Sequence, residues 1–309
     1  MNVLLLGANG QLGRSFLDDG GLARFGAVKA ASRDGELTDG QRGKVADLSV
    51  PEQLPALLDR LQPQLIVNAA GYTAVDRAEQ EEPLATRVNG EAVGILGQWA
   101  ARHGALVVHY STDYVFDGRS TVPYSVDAPT APLGAYGRSK LAGEQALRAS
   151  GADHLIFRTA WVYAAHGRNF LRTMLGLHAR EELRVVADQH GTPTSTDLLV
   201  RASLAALDRW QHAGAERQAL YGTHHLVAGG ATTWCGFAEA IMAGAVESGL
   251  IKQSPRIIAI GTADFPTPAK RPEWSVLDNS GFAHTFGYPL PDWQEGLREV
   301  IGQVASKGL

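Results

Sequence analysis

One cysteine, Cys235, stands among 309 residues, so no internal disulfide can form and the fold must rest on its core, as in a reducing compartment. Its context, Trp234-Cys235-Gly236-Phe237, reads as a packed helix start rather than a reactive thiol. No apolar run reaches the roughly 20 residues that a membrane crossing needs. The longest are broken by Gly, Asn or charges. No basic stretch with an apolar run and small-residue cleavage site precedes the first strand candidate at Asn2, so the expected location is cytoplasmic. An excess of one charge is missing too: 28 Lys and Arg face 32 Asp and Glu, a formal net charge of -4. That balance gives no general attraction to nucleic acid or anionic lipid, so any phosphate-bearing ligand must be held by a few placed groups. His190, His224 and His225 lack metal-ligand spacing, and no metal is expected.

What the chain does have is an ordinary globular composition, 45% apolar and 19% charged. Short apolar runs at Val3 to Leu6, Val28 to Ala31, Leu65 to Val67, Leu106 to His109 and His154 to Phe157 alternate with helical stretches at Pro51 to Leu61, Leu84 to His103 and Lys140 to Ala149. This predicts an α/β fold, a Rossmann-type doubly wound parallel sheet over residues 1–160. After Arg158 the alternation loosens into a smaller mixed α/β lobe, 161–309, with helices expected near Asn169 to Ala179, Thr233 to Ser248 and Asp292 to Val304. Part of 189–229 is expected to return to the sheet.

Gly7-Ala8-Asn9-Gly10-Gln11-Leu12-Gly13 follows the first strand and opens a helix. Such a turn lets backbone approach a pyrophosphate, whose charge the helix N-terminus attracts. The spacing resembles the extended, sugar-nucleotide branch of the short-chain dehydrogenase/reductase superfamily. That resemblance places Asp47 and Leu48 at the adenine and the small residues Ala69, Ala70 and Gly71 against the cofactor. Read without it, Asp47 is equally a cap for a helix near Pro51. Where an acidic residue would bond the adenosine ribose, the sequence has Ala31-Ser32-Arg33-Asp34. Ser32 and Arg33 suit a 2′-phosphate and favour NADPH, while Asp34 leaves NADH open.

Ser111-Thr112-Asp113-Tyr114 ends the next strand, and Tyr136-Gly137-Arg138-Ser139-Lys140 follows. On a helix the i and i+4 side chains share a face, so Lys140 is expected beside Tyr136. A neighbouring cation lowers a phenol's pKa, bringing proton donation within reach. Thr112 is expected to bond the same substrate oxygen or the phenol. The three motifs in order point to carbonyl reduction by hydride transfer.

The resemblance narrows, over essentially the whole chain, to the dTDP-4-dehydrorhamnose reductase family. Asn68 to Asp76, His109 to Phe116, Tyr136 to Glu144, Arg158 to Tyr163, His225 to Gly230 and Arg271-Pro272 carry it. It implies a dTDP-sugar facing Thr73, Thr112, Asp113 and Trp161, and a cofactor facing Gly10, Gln11, Leu12, Asp47, Leu48, Gly71, Tyr72, Tyr136 and Lys140. Asn169 and Arg271 are candidates for the nucleotide diphosphate, Asn169 being otherwise a helix cap and Arg271 a surface ion pair. A 4,6-dehydratase would carry Thr-Asp-Glu, but Tyr114 stands at the third place, which removes the elimination base. A 4-epimerase is excluded less firmly. A non-catalytic NADP-binding regulatory subunit is the alternative of another class, against which the intact Thr112, Tyr136 and Lys140 argue.

Overall fold

The computed structural model describes residues 1–308. Strand and helix alternate first through β1 (Asn2–Leu6), α1 (Gln11–Asp19), β2 (Ala27–Ser32), β3 (Lys44–Val45), α2 (Leu54–Leu61) and β4 (Leu65–Asn68). After α3 (Val75–Ala78) and α4 (Glu82–Thr86), a π-turn at Arg87–Glu91 leads into α5 (Ala92–His103). β5 (Leu106–Thr112), α6 (Ala135–Ala149) and β6 (His154–Thr159) complete this run.

Seven parallel strands form the central sheet in the order β3-β2-β1-β4-β5-β6, extended at the far edge by residues 222–225. This is the doubly wound arrangement that the sequence predicts. The order reverses between β1 and β4, and at that switch point the connections leave in opposite directions, opening a crevice beyond the strand ends. Alternate side chains supply two cores. Val3, Leu5, Val67, Val108 and Phe157 face one side. Leu4, Leu6, Ile66, Val107 and Ile156 face α2 and α5 on the other. Each such buried side chain contributes roughly 2 kcal/mol, and covering both faces is why these strands are almost wholly apolar.

The later half begins with β7 (Val162–Tyr163), α7 (Phe170–Gly176), β8 (Glu182–Val186), β9 (His190–Gly191) and β10 (Thr194–Ser195). It continues through α8 (Thr196–His212), β11 (Gly222–His225), β12 (Thr232–Thr233), α9 (Trp234–Glu247), β13 (Arg256–Ile260), α10 (Ser280–Phe286) and α11 (Trp293–Lys307). β11 is the strand that joins the main sheet, pairing Gly222 with Leu155 through His225 with Arg158. α8 was not anticipated. Ser195 caps it by accepting from the Leu198 N–H at 3.2 Å, and Leu199, Ala202 and Leu207 bury its inner face in the core on the α1 side. α7, α9 and α11 enclose a third core with Leu175, Phe237, Ile241 and Val300.

Candidate active site

β1 runs into Gly7, whose φ of +79° favours glycine, and a Cβ there would stand 2.6 Å from the Ala70 nitrogen. A Cβ on Gly13 would meet the Gly7 carbonyl oxygen at 2.1 Å. The turn therefore lies directly against its neighbours. Gly10 begins α1 without a side-chain cap, leaving the first N–H groups and the positive helix end to face an anion. A cleft of about 880 Å³ opens here, lined by Gly7, Gly10, Gln11 and Leu12. Gly13 lies behind this lining, where its missing side chain lets α1 pack on the turn.

Arg33, Asp47 and Leu48 line the outer end of this cleft. Arg33 is 82% exposed, with its Nε 3.9 Å from Asp47 Oδ1. Ser32 is not in the cleft, contrary to expectation: it is buried, and its hydroxyl is directed to Asp34 Oδ1 at 3.1 Å and the Glu36 carbonyl at 2.8 Å. Asp34 is engaged by the same loop, where the Glu36 N–H and then the Ser32 hydroxyl hold its carboxyl below the usual range. Asp47 closes its own turn by accepting from the Ser49 N–H and hydroxyl at 2.9 and 2.7 Å, and Val50 occupies the cap position before Pro51.

Asn68, Ala69, Ala70 and Gly71 continue the wall beyond β4. Tyr72 departs from the expected cofactor contact: its side chain packs away from the cleft, and its hydroxyl donates to Glu81 Oε2 at 2.6 Å.

Thr112, Tyr136 and Lys140 do converge. α6 approaches the end of β5 closely because Gly137 has no side chain; a Cβ there would lie 2.2 Å from the Tyr114 carbonyl oxygen. Thr112 donates to Asp113 Oδ1 at 2.9 Å and lines the cleft beside Tyr136. Lys140 does not act as the spacing alone suggested. It is buried, donating to the Tyr110 carbonyl and lying 3.4 Å from His109 Nε2. Burial pulls its ammonium down to about 8 against the favourable charge of Glu144. Burial also raises the Tyr136 phenol well above its ordinary value, opposed by Thr112, with no lowering contribution from Lys140.

Asp113 adds a carboxyl pushed up to about 6 by burial, with Oδ2 unpartnered among the described residues. Behind β5, buried Glu144 accepts from Ser111 at 2.5 Å and from Arg158 Nε and Nη2 at 2.9 and 2.8 Å. These bonds tie α6, β5 and β6 together immediately below the reacting groups.

Thr73, Thr112, Asp113, Trp161 and Arg271 line the cleft at its other end. Trp161 has φ +46° and stacks on Trp234 with centroids 3.5 Å apart. A Cβ on Gly191 would stand 2.4 Å from the Trp161 ring. Arg271 makes the ion pair weighed for it, with Asp76 Oδ2 at 2.9 Å, and also donates to the Tyr114 hydroxyl at 3.4 Å within the lining. Asn169 is not part of the lining. Its Oδ1 caps α7 by accepting from the Arg172 N–H at 2.9 Å, and its Nδ2 donates to Gln11 Oε1 at 2.7 Å. Residues not anticipated here include Arg14, His166, Arg168 and Trp234. The polar, glycine-containing run before α7 carried a signal for Arg168; Trp234 carried none beyond its aromaticity.

Comparisons with known proteins agree along the chain. The family described as RmlD substrate binding domain matches residues 1–306. A dTDP-4-dehydrorhamnose reductase of Burkholderia thailandensis is 45% identical over 99% of this chain and 100% of its own. The solved dTDP-4-dehydrorhamnose reductase of Clostridium acetobutylicum superposes with TM-score 0.85 at 34% identity, covering 98% of this chain and 99% of that one. Another from Bacillus anthracis, in complex with NADP, gives TM-score 0.83 at 30% identity, with 98% and 99% covered. The chain belongs to the RmlD substrate-binding domain family, within which it is similar along nearly its full length to dTDP-4-dehydrorhamnose reductases.

Proposed function

We infer that this chain reduces the C4 ketone of dTDP-4-dehydro-β-L-rhamnose to dTDP-β-L-rhamnose with NADPH. The carrying observation is the convergence of Thr112, Tyr136 and Lys140 in a cleft whose other end is a bare glycine turn. That turn fits a dinucleotide, since the unpaired N–H groups of α1 suit a pyrophosphate and the cleft narrows on no side chain at Gly7, Gly10 or Gly71. The bound nicotinamide supplies the hydride. Tyr136 donates the proton to the carbonyl oxygen, Thr112 fixes that oxygen, and Lys140 binds the cofactor ribose and carries the nearby positive charge. Asp113, in the lining beside Thr112, faces the sugar, while Trp161 walls the ring and Arg271 faces the diphosphate.

Exposed Arg33, with Asp34 withdrawn into its loop, supports NADPH over NADH. Residues 1–160 with β11 hold the cofactor in this reading, and 161–309 supply most of the sugar side. Purified protein, NADPH and dTDP-4-dehydro-β-L-rhamnose should give dTDP-β-L-rhamnose with one NADPH oxidised per product. Tight NADPH binding without turnover would favour the non-catalytic regulatory reading.

A further inference from the structure

Lys140 is approached from β5 by a histidine with no assigned role. His109 is completely buried, with Nδ1 3.1 Å from Asn68 Nδ2 and Nε2 3.4 Å from Lys140 Nζ. The amide orientation of Asn68 is fixed at its other end, because Oδ1 accepts the Ala70 N–H at 3.2 Å. Turning the amide over would set an NH2 against that N–H. Asn68 therefore offers Nδ2 as donor, His109 Nδ1 must be the bare acceptor, and the neutral ring carries its proton on Nε2. A charged ring is disfavoured by burial and by Lys140.

An N–H at Nε2 has only a lone pair to donate to, and an ammonium has none. We propose that His109 is a positioning residue for Lys140: anchored through Asn68, it turns an N–H towards Nζ and so favours the amine, coupling cofactor binding to proton uptake at Lys140. The amine keeps an N–H for the Tyr110 carbonyl. The other groups facing Lys140 are Tyr136 and Glu144 on α6, and of these the Glu144 carboxylate favours the ammonium. Ribose hydroxyls arriving from the cleft would offer acceptors to the ammonium and reverse the balance. This rests on the cofactor placement proposed above, but its first test needs neither cofactor nor turnover.

With ¹⁵N-labelled histidine, the full-length cofactor-free protein should show His109 with Nε2 protonated and Nδ1 bare at pH 9. A proton on Nδ1 would overturn the inference and leave the reductase reading intact. Calorimetry of NADPH binding in buffers of different ionisation enthalpy gives the second readout. With Lys140 near 8 when free and raised when bound, uptake should be substantial at pH 9 and small at pH 7. His109→Gln, which can present an amide oxygen to the ammonium, should cut the pH 9 uptake to less than half. Asn68→Asp, which draws the proton to Nδ1, should do the same if His109→Gln does not fold. Undiminished uptake in a folded variant would contradict the proposed coupling.

Discussion

Replacing Glu144 by Gln should be among the most damaging conservative changes in this protein. The carboxylate has no solvent exposure and accepts from Ser111, from two nitrogens of Arg158 and from Arg148 Nη1 at 3.1 Å. Arg158 is itself only 4% exposed. Gln keeps the shape but turns an NH2 towards a guanidinium and leaves that cation buried without its countercharge, which costs about 3–5 kcal/mol. At about 2.1 cal/mol/K per residue, 309 residues unfold with roughly 650 cal/mol/K, so Tm should fall by about 5–8 °C. The pH dependence has a definite sign. Arg158 and Ser111 outweigh burial and hold Glu144 below the ordinary carboxylate range, so its contribution is complete above that range and is lost as pH falls through its folded value. The gap between wild type and Glu144→Gln should therefore be full at pH 7 and narrow below about pH 4. Adding Arg158→Met should recover part of the loss by removing the orphaned cation. Calorimetric unfolding of the three proteins tests this; a Tm change under 1 °C for Glu144→Gln at pH 7 would refute it.

Three further outcomes are expected. Because an ionised Asp113 accepts a sugar hydroxyl more strongly than the protonated acid does, kcat/KM for the sugar should fall below about pH 6, and Asp113→Asn should abolish that acid limb in a pH profile. Arg33→Ala should reduce the NADPH over NADH preference by about fivefold, the worth of roughly 1 kcal/mol for an exposed pair; an unchanged kcat/KM ratio would remove Arg33 from the phosphate site. Gly191→Ala places a methyl inside the Trp161 ring contact and should cost about 1–3 kcal/mol, raising the sugar KM while NADPH affinity holds; fluorescence titration with NADPH and steady-state kinetics separate the two.

The sheet was legible because short continuous apolar runs, glycine turns and helical stretches all agreed, as at Val3 to Leu6 followed by Gly7. α8 carried comparable local signals, a Ser195 cap, Asp197 in its first turn and Arg209 in its last, but Gly191 to Thr194 drew attention to punctuation instead. Ser32, Tyr72 and Asn169 were misplaced for a different reason. Ser32 and Tyr72 have strong partners that motif spacing does not disclose, Glu36 and Glu81, whereas Asn169 takes the helix-cap role weighed as its alternative. Spacing placed Lys140 on the face of Tyr136, yet its charge balance depended on burial and on Glu144. A sequence motif names the groups; the dielectric around them is set by packing that arrives from elsewhere in the chain.

Proton donation by Tyr136 is the centre of the account, and single-turnover reduction of dTDP-4-dehydro-β-L-rhamnose by Tyr136→Phe, with NADPH pre-bound and its affinity measured separately, tests it most directly. Burial keeps the phenol protonated through neutral pH, so wild type should have its donor in place and the variant should not. The chemical step is expected to slow by about 10²–10⁴ with the NADPH Kd nearly unchanged. A chemical step as fast as wild type would contradict the assignment and transfer the donor's role to Thr112 or Asp113.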